Sequence, residues 1–188
     1  EWAPSGMGKY LWHFTVIYNA EKSLKLARGG KIGAALTEAE LEAARKECVA
    51  EFDKIRNMNG PENAHKLHHE LGDVMYKYVS VERDNNGLAQ CMKELHEILK
   101  RWDNIGVTDH GTWANQEAMF VRQLRNMIIY AMAITKSALL RDESRGAHAK
   151  IVLNDKGERV TDEKGDLVFM PRDDARFMRT TIVTFDAE

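Results

Sequence analysis

The chain has 188 residues, 44% of them apolar, and a formal net charge of −2 with acids and bases interspersed. That length carries one good-sized domain, or a core with an appendage, and the balanced charge excludes the basic field of a nucleic-acid binder. Two distant cysteines, Cys48 and Cys91, exclude a disulfide framework and a zinc ribbon and fit a reducing, cytoplasmic setting.

The chain opens at Glu1 with no methionine and no charged-then-apolar leader, as expected of a piece of a longer protein. The first helical segment, His13 to Ala27, is weakly amphipathic, and Gly29-Gly30 breaks it from the next helix. Thr37-Glu38-Ala39-Glu40 is a capping box, and Leu41, Ala44, Cys48, Phe52 and Ile55 come after it at helical spacing. That helix should stop near Asn59-Gly60. Pro61 suits the first position of the next one, whose stripe is Ala64, Leu67, Leu71, Val74 and Tyr78.

Asn85-Asn86-Gly87 signals a turn, with Arg83 and Asp84 beside it as ordinary loop polar residues. Leu88, Met92, Leu95, Leu99 and Trp102 then step by four and three. Thr112 can cap the last long helix, with stripe Phe120, Leu124, Met127, Ala131, Ile134 and Ala138. Its middle, MIIYAMAI, is apolar nearly all round, so it should be the most buried helix. The run is far short of the about 20 residues a membrane span needs.

After Gly146 come short apolar pieces around two glycine turns, Asp155-Lys156-Gly157 and Glu163-Lys164-Gly165, which read as a small β-hairpin or meander with no internal repeat. Thr180 to Phe185 is a last extended piece, able to pair with another segment or a partner chain. Short connections between long helices imply antiparallel neighbours. The expected fold is mainly α, an antiparallel three- to four-helix bundle like a spectrin repeat. It divides into an N-terminal segment 1–36, a bundle 37–146, and a C-terminal hairpin and tail 147–188.

Three constellations invite chemistry. His65, His68, His69 and Glu70 share a helix face, and Glu62-Asn63-Ala64-His65 spells Glu-x-x-His. A carboxylate-bridged di-iron bundle needs a second such motif, and none exists, which favours a solvated histidine face. Gly6-x-Gly8 lacks the third glycine and preceding strand of a dinucleotide fingerprint. Ser144 near His148 suggests a nucleophile and base, but no orienting group or oxyanion donor accompanies them. The methionines and tryptophans sit mostly on core stripes.

Arg141 to His148, RDESRGAH, stands apart as a burst of charge ending the most apolar helix. As a helix terminus, Gly146 takes the left-handed C-cap position, and Arg141 and Arg145 complement the negative end of the dipole. That accounts for two arginines and the glycine, and leaves Glu143, Ser144 and His148 without a role.

The order of motifs, MNGPENAHKLHHELGDVMYKYVSVER, then WANQEAMFVRQLRNMIIYAMAITKSALLRDESRGAH, then PRDDARFMRTTI, resembles the C-terminal helical region of the succinate dehydrogenase and fumarate reductase flavoprotein subunit. The matching signature residues are Arg141, Glu143, Ser144, Arg145, Gly146, Ala147 and His148, then Arg172, Asp173, Asp174, Phe177, Met178 and Thr180. The likeness runs from about Asn57 to Thr184, with Ala147 before His148 favouring this branch over aspartate oxidase. It departs at Ile151 to Phe169, where the family carries a short link.

The resemblance implies that FAD, its covalent histidine and the dicarboxylate site all lie in upstream domains, so that this region holds no catalytic, cofactor or metal residue and turns over no succinate alone. It implies a structural and docking role toward the FAD-binding and capping domains of the same subunit. Further partners are an iron–sulfur subunit with its clusters and, indirectly, a membrane quinone-binding cytochrome b subunit, in a complex peripheral on the inner face of the cell membrane. Docking is expected of Arg141, Glu143, Ser144, Arg145, Gly146, His148, Arg172, Asp173 and Asp174. Arg145 and Glu143 should tie the helix end to Arg172-Asp173-Asp174 or bridge a domain boundary. If a flavin domain covers the bundle, the chain alone should expose an apolar patch. The alternatives are the same domain of a sister enzyme such as aspartate oxidase, and a free-standing helical metal-binding or adaptor protein.

Overall fold

A computed structural model describes residues 38–183, in which four long helices dominate: α1 (Glu38–Arg56), α2 (Ala64–Val79), α3 (Asn85–Trp102) and α4 (Gln116–Leu140). The segment His13 to Ala27 and Thr37 of the capping box lie outside the described residues, as do the side chains of Leu41 and Ala44. Contacts group into two units, Glu1–Ala50 and Glu51–Glu188, and the second holds the bundle and the appendage.

The bundle of α2, α3 and α4 is antiparallel between consecutive helices. Arg101 at the end of α3 forks Glu62 just before α2, and Tyr78 at the end of α2 donates to Glu94 at 3.0 Å. The Trp102 indole N–H reaches the Val121 carbonyl at 2.8 Å, while Cys91 meets Thr135 farther along α4. Leu67, Leu71, Leu88, Leu95, Ile98, Leu124 and Ile128 form the buried centre, joined by Ile55 at the end of α1. Burial of such side chains, worth about 1.5–3 kcal/mol each, dominates the bundle's stability.

Helix boundaries differ from the glycine and proline signals. α2 begins after Asn63, whose side chain accepts from the amides of His65 and Lys66, and not at Pro61. Residues 59–62 are used otherwise: Asn59 pairs with Gly106 and Glu62 with Ile105. There the backbones meet so closely that a methyl group on Gly60 would overlap the Asn104 carbonyl. Asn85-Asn86-Gly87 is the first turn of α3, because Asp84 caps it through the Gly87 amide at 2.7 Å. Asn115, not Thr112, caps α4 through the Ala118 amide.

α4 buries more residues than α2 or α3, as expected, but it is not buried all round. Its inner face buries Val121, Leu124, Ile128, Ala131, Thr135 and Ala138, but Met127 and Ile134, expected inside, lie on the solvent side with Met119, Tyr130 and Leu140. A helix apolar all round is buried all round only where cover is available, and the bundle covers one face.

Beyond α4, β1 (Glu82–Arg83) pairs in parallel with β2 (Ala149–Lys150), Glu82 opposite Ala149 and Arg83 opposite Lys150. Residues 152–168 contain a repeat that the composition masks. Val152, Val160 and Val168 recur every eight residues, and each donates its amide to the next in a closed ring: Val152 to Val168, Val168 to Val160, Val160 to Val152. The two intervening turns are built alike. Asn154 Oδ1 accepts from the amides of Lys156 and Glu158, as Asp162 Oδ1 does from Lys164 and Asp166, and Gly157 and Gly165 both take positive φ. Of the hairpin and the meander that the turns suggest, the appendage is therefore the meander: antiparallel bridges Leu153–Arg159 and Thr161–Leu167 flank the two glycine turns, and Ile151–Phe169 closes the three segments into a ring. A short helix, α5 (Asp174–Phe177), comes next.

Candidate functional site

The Arg141–His148 cluster begins where α4 ends, at Leu140, six residues before Gly146. Gly146 instead sits in a tight turn closed by two hydrogen bonds between the backbones of Arg145 and His148, with φ of 58° at the first central position, as a type II′ hairpin turn requires. The orphan carbonyls of α4 are met by Lys150. Its fully buried ammonium donates to Ala138 O at 2.7 Å and Leu139 O at 3.2 Å, with Asp142 at 3.4 Å. The dipole's cation is thus Lys150, in place of the two arginines. Burial pushes its ammonium below the ordinary lysine range, and Asp142 opposes that shift.

Glu143 is the hub. Its side chain has no exposed surface, and its cover is its own ligands: Arg145 Nε and Nη2 at 2.7 and 2.9 Å, Arg141 Nη1 at 2.6 Å and the Asp173 amide at 2.8 Å. Four donors, with Arg145 foremost, hold the carboxylate at about 2. Arg145 passes the chain of charge to Asp174 at 2.6 Å, which Arg172 also forks. Arg172 and Arg145 together hold Asp174 at about 2. Arg141 also donates to Phe177 O, Arg179 O and Thr181 Oγ1. Asp173 caps α5 through the Arg176 amide. Of the two links expected for Glu143 and Arg145, the one to Arg172-Asp173-Asp174 is present.

Ser144 and His148 do not form a nucleophile and base. Ser144 Oγ bonds the backbone of Lys150, accepting from its amide at 3.0 Å. His148 Nδ1 lies 2.8 Å from Arg83 Nη1, which can only donate, so Nδ1 accepts and Nε2–H donates to Arg141 O at 3.0 Å. The ring is held neutral, and burial pushes its pKa below the ordinary value.

Arg83 and Asp84, read from sequence as loop residues, are structural partners. Arg83 anchors His148, and Asp84 takes both the cap of α3 and a fork from Arg159 of the ring module at 2.8 and 3.0 Å. Their partners lie 65 and 75 residues away, so no local pattern announces them. The histidine face is exposed: His65 stacks on Phe120 with centroids 4.5 Å apart, and Glu62 is taken by Arg101. Among the described residues, no group of three or more His, Cys, Asp or Glu converges as a metal site would require.

The family model described as "Fumarate reductase flavoprotein C-term" matches residues 68–188. The succinate dehydrogenase flavoprotein subunit of Bacillus subtilis is 44% identical over 115 residues, 61% of this chain and 20% of that protein. The fumarate reductase flavoprotein subunit of Haemophilus influenzae is 23% identical over 80% of this chain and 22% of its own length. In solved structures, a chain of E. coli quinol fumarate reductase superposes with a TM-score of 0.63, at 26% identity over 77% of this chain and 22% of its own. The chain thus spans about a fifth of the length of the curated relatives it matches. With well over half of its residues matched, the cluster included, the chain belongs to the fumarate reductase flavoprotein C-terminal family.

Proposed function

We propose that the chain serves as the C-terminal domain of a flavoprotein subunit that interconverts succinate and fumarate, buttressing the domains that hold the flavin and offering them a docking surface. The observation that carries this reading is the match across residues 68–188, which contains every member of the Arg141–Asp174 network.

The flavin belongs to the rest of that subunit. The described residues do not fit one: the strands are two residues long, the parallel pair β1 and β2 is joined through two long helices and not by a single-helix crossover with a glycine-rich turn, and the N-termini of α2, α3 and α4 are closed by Asn63, Asp84 and Asn115. FAD would supply hydride exchange with the dicarboxylate, and an iron–sulfur subunit would pass electrons between it and a quinone. Among the described residues no helix is long and apolar enough to cross a membrane, which suits a peripheral place on such a complex.

The network Arg141, Glu143, Ser144, Arg145, Gly146, His148, Arg172, Asp173 and Asp174 is assigned a mechanical role within this reading. It fixes the end of α4, the Lys150 strand and the segment 172–181 as one edge against which another domain can seat. The test is to purify the full-length gene product and assay bound flavin and succinate-dependent reduction of a dye. Flavin with succinate turnover supports the reading; flavin with turnover of aspartate alone, or no flavin, contradicts it.

A further inference from the structure

An open hollow of about 600 Å³ lies at the end of α4, bordered by Arg83, Arg141, His148 and the hydroxyls of Ser137, Thr180 and Thr181. No Asp or Glu lines it, in a chain that carries 29 acids against 27 lysines and arginines. The rest of its lining is mostly apolar, with Ala133, Ala138 and Val183 among it.

The two guanidiniums of the hollow differ. Arg141 has the Glu143 carboxylate at 2.6 Å, and Arg145, Lys150 and Arg159 nearby each have an acid within 3.4 Å. Half-buried Arg83 has only neutral acceptors among the described residues: the Val79 and Ser80 carbonyls take its Nε at 3.2 and 2.6 Å, and His148 Nδ1 takes its Nη1 at 2.8 Å. Its Nη2 bonds no described residue. Burial pushes the guanidinium below its ordinary range, and no carboxylate opposes that shift. Dipoles offset the desolvation of a cation only in part. Anchoring His148 takes a hydrogen bond and leaves the charge of Arg83 unexplained.

We infer that the hollow is a binding site for a small aliphatic carboxylate, forked by the free edge of Arg83 and resting its hydrocarbon stem on Ala133 and Ala138. Nη1 and Nη2 present the planar pair of donors that two carboxylate oxygens match. Thr181 Oγ1 accepts from Arg141 and so keeps its own proton to donate to an anion. His148, with Nε2–H given to the Arg141 carbonyl, holds Arg83 in place without competing for the ligand. Ala133, Ala138 and Val183 offer no side-chain donors to the further oxygens of a phosphate, and they suit a short stem.

The test is photolabelling of the full-length gene product with a diazirine-bearing pentanoate at constant ionic strength, the label being located by peptide mass. It should fall on the peptides that carry Ala133–Ser137 and Thr180–Val183, and butyrate should displace it where equal chloride does not. Arg83→Gln should cut that labelling about 10-fold. Because Arg83→Gln also loosens His148, Ala133→Asp is the second variant: it touches none of the bonds of Arg83, sets a negative charge in the hollow, and should cut labelling as much. Label scattered over the surface, equal displacement by chloride, or unchanged labelling of Ala133→Asp overturns the inference. Displacement by inorganic phosphate at a lower concentration than by butyrate also overturns it, by making the ligand a tetrahedral anion. So does a full-length product that takes no label on these peptides, because the hollow is then filled from within the protein.

Discussion

The guanidinium of Arg145 grips the Glu143 carboxylate with two parallel bonds, Nε to Oε1 at 2.7 Å and Nη2 to Oε2 at 2.9 Å. A fork of this kind needs a planar donor, so lysine cannot replace it. Arg145→Lys should lower the thermal midpoint, Arg145→Ala should lower it further, and Glu143→Gln should act like Arg145→Ala, since it leaves two arginines without their common partner. A melting series on the three variants checks the order.

Acid should release this edge in two stages. His148 is neutral in the fold, with a pKa below its ordinary 6.5, so the unfolded chain takes up the proton first. Its stabilisation is complete above 6.5 and is lost as pH falls through that value toward the folded one. Glu143 and Asp174, lowered from 4.5 and 3.8 to about 2, keep theirs above the ordinary carboxylate values and lose it as pH falls toward 2. Denaturant midpoints against pH should therefore fall once below 6.5 and again below 4.5. His148→Gln should remove the first fall and spare the second.

Lys150→Met keeps most of the buried volume but leaves the Ala138 and Leu139 carbonyls and Asp142 without their cation. The loss should be about 2 kcal/mol, and Lys150→Ala should cost more by adding a cavity. Equilibrium denaturation of both variants gives the comparison; an unchanged midpoint for Lys150→Met would show the amine to be dispensable.

Two glycines should respond with opposite sign. Gly60→Ala forces a methyl group into the Asn104 carbonyl, at a cost of about 3 kcal/mol, because both partners are backbone. Gly72→Ala meets open space and gains helix propensity, so in this chain alone it should stabilise by up to about 1 kcal/mol. Urea unfolding of the two variants decides.

The helices are legible in the sequence because burial leaves a periodic trace: Leu67, Leu71, Leu88, Leu95 and Leu124 all fall on core stripes and all are buried. The cluster is legible as a motif, and its link between Glu143 and Arg172-Asp173-Asp174 is one of the two that the motif suggests. Partnership at a distance leaves no such trace. Nothing in the sequence singles out Lys150, whose partners are the Ala138 and Leu139 carbonyls at the end of α4, and Arg83 reads as a loop residue until His148 arrives. β1 and β2, two residues each, carry no period at all. The eight-residue recurrence of Val152, Val160 and Val168 is present in the sequence but hidden behind glycine turns that by themselves suggest a hairpin or a meander without saying that its ends meet. Met127 and Ile134 defy the stripe for a different reason: apolar residues demand cover, and the pattern does not say whether the bundle or another domain provides it.

Glu143 and Arg145 form a clasp that holds the segment 172–181 to the end of α4. Native-state hydrogen exchange on Glu143→Gln addresses it most directly, through the amides of Asp173, Arg176 and Phe177 against those in the middle of α3. The clasp predicts that the first three lose protection while the α3 amides keep theirs. Unchanged protection at Asp173, Arg176 and Phe177 would contradict it.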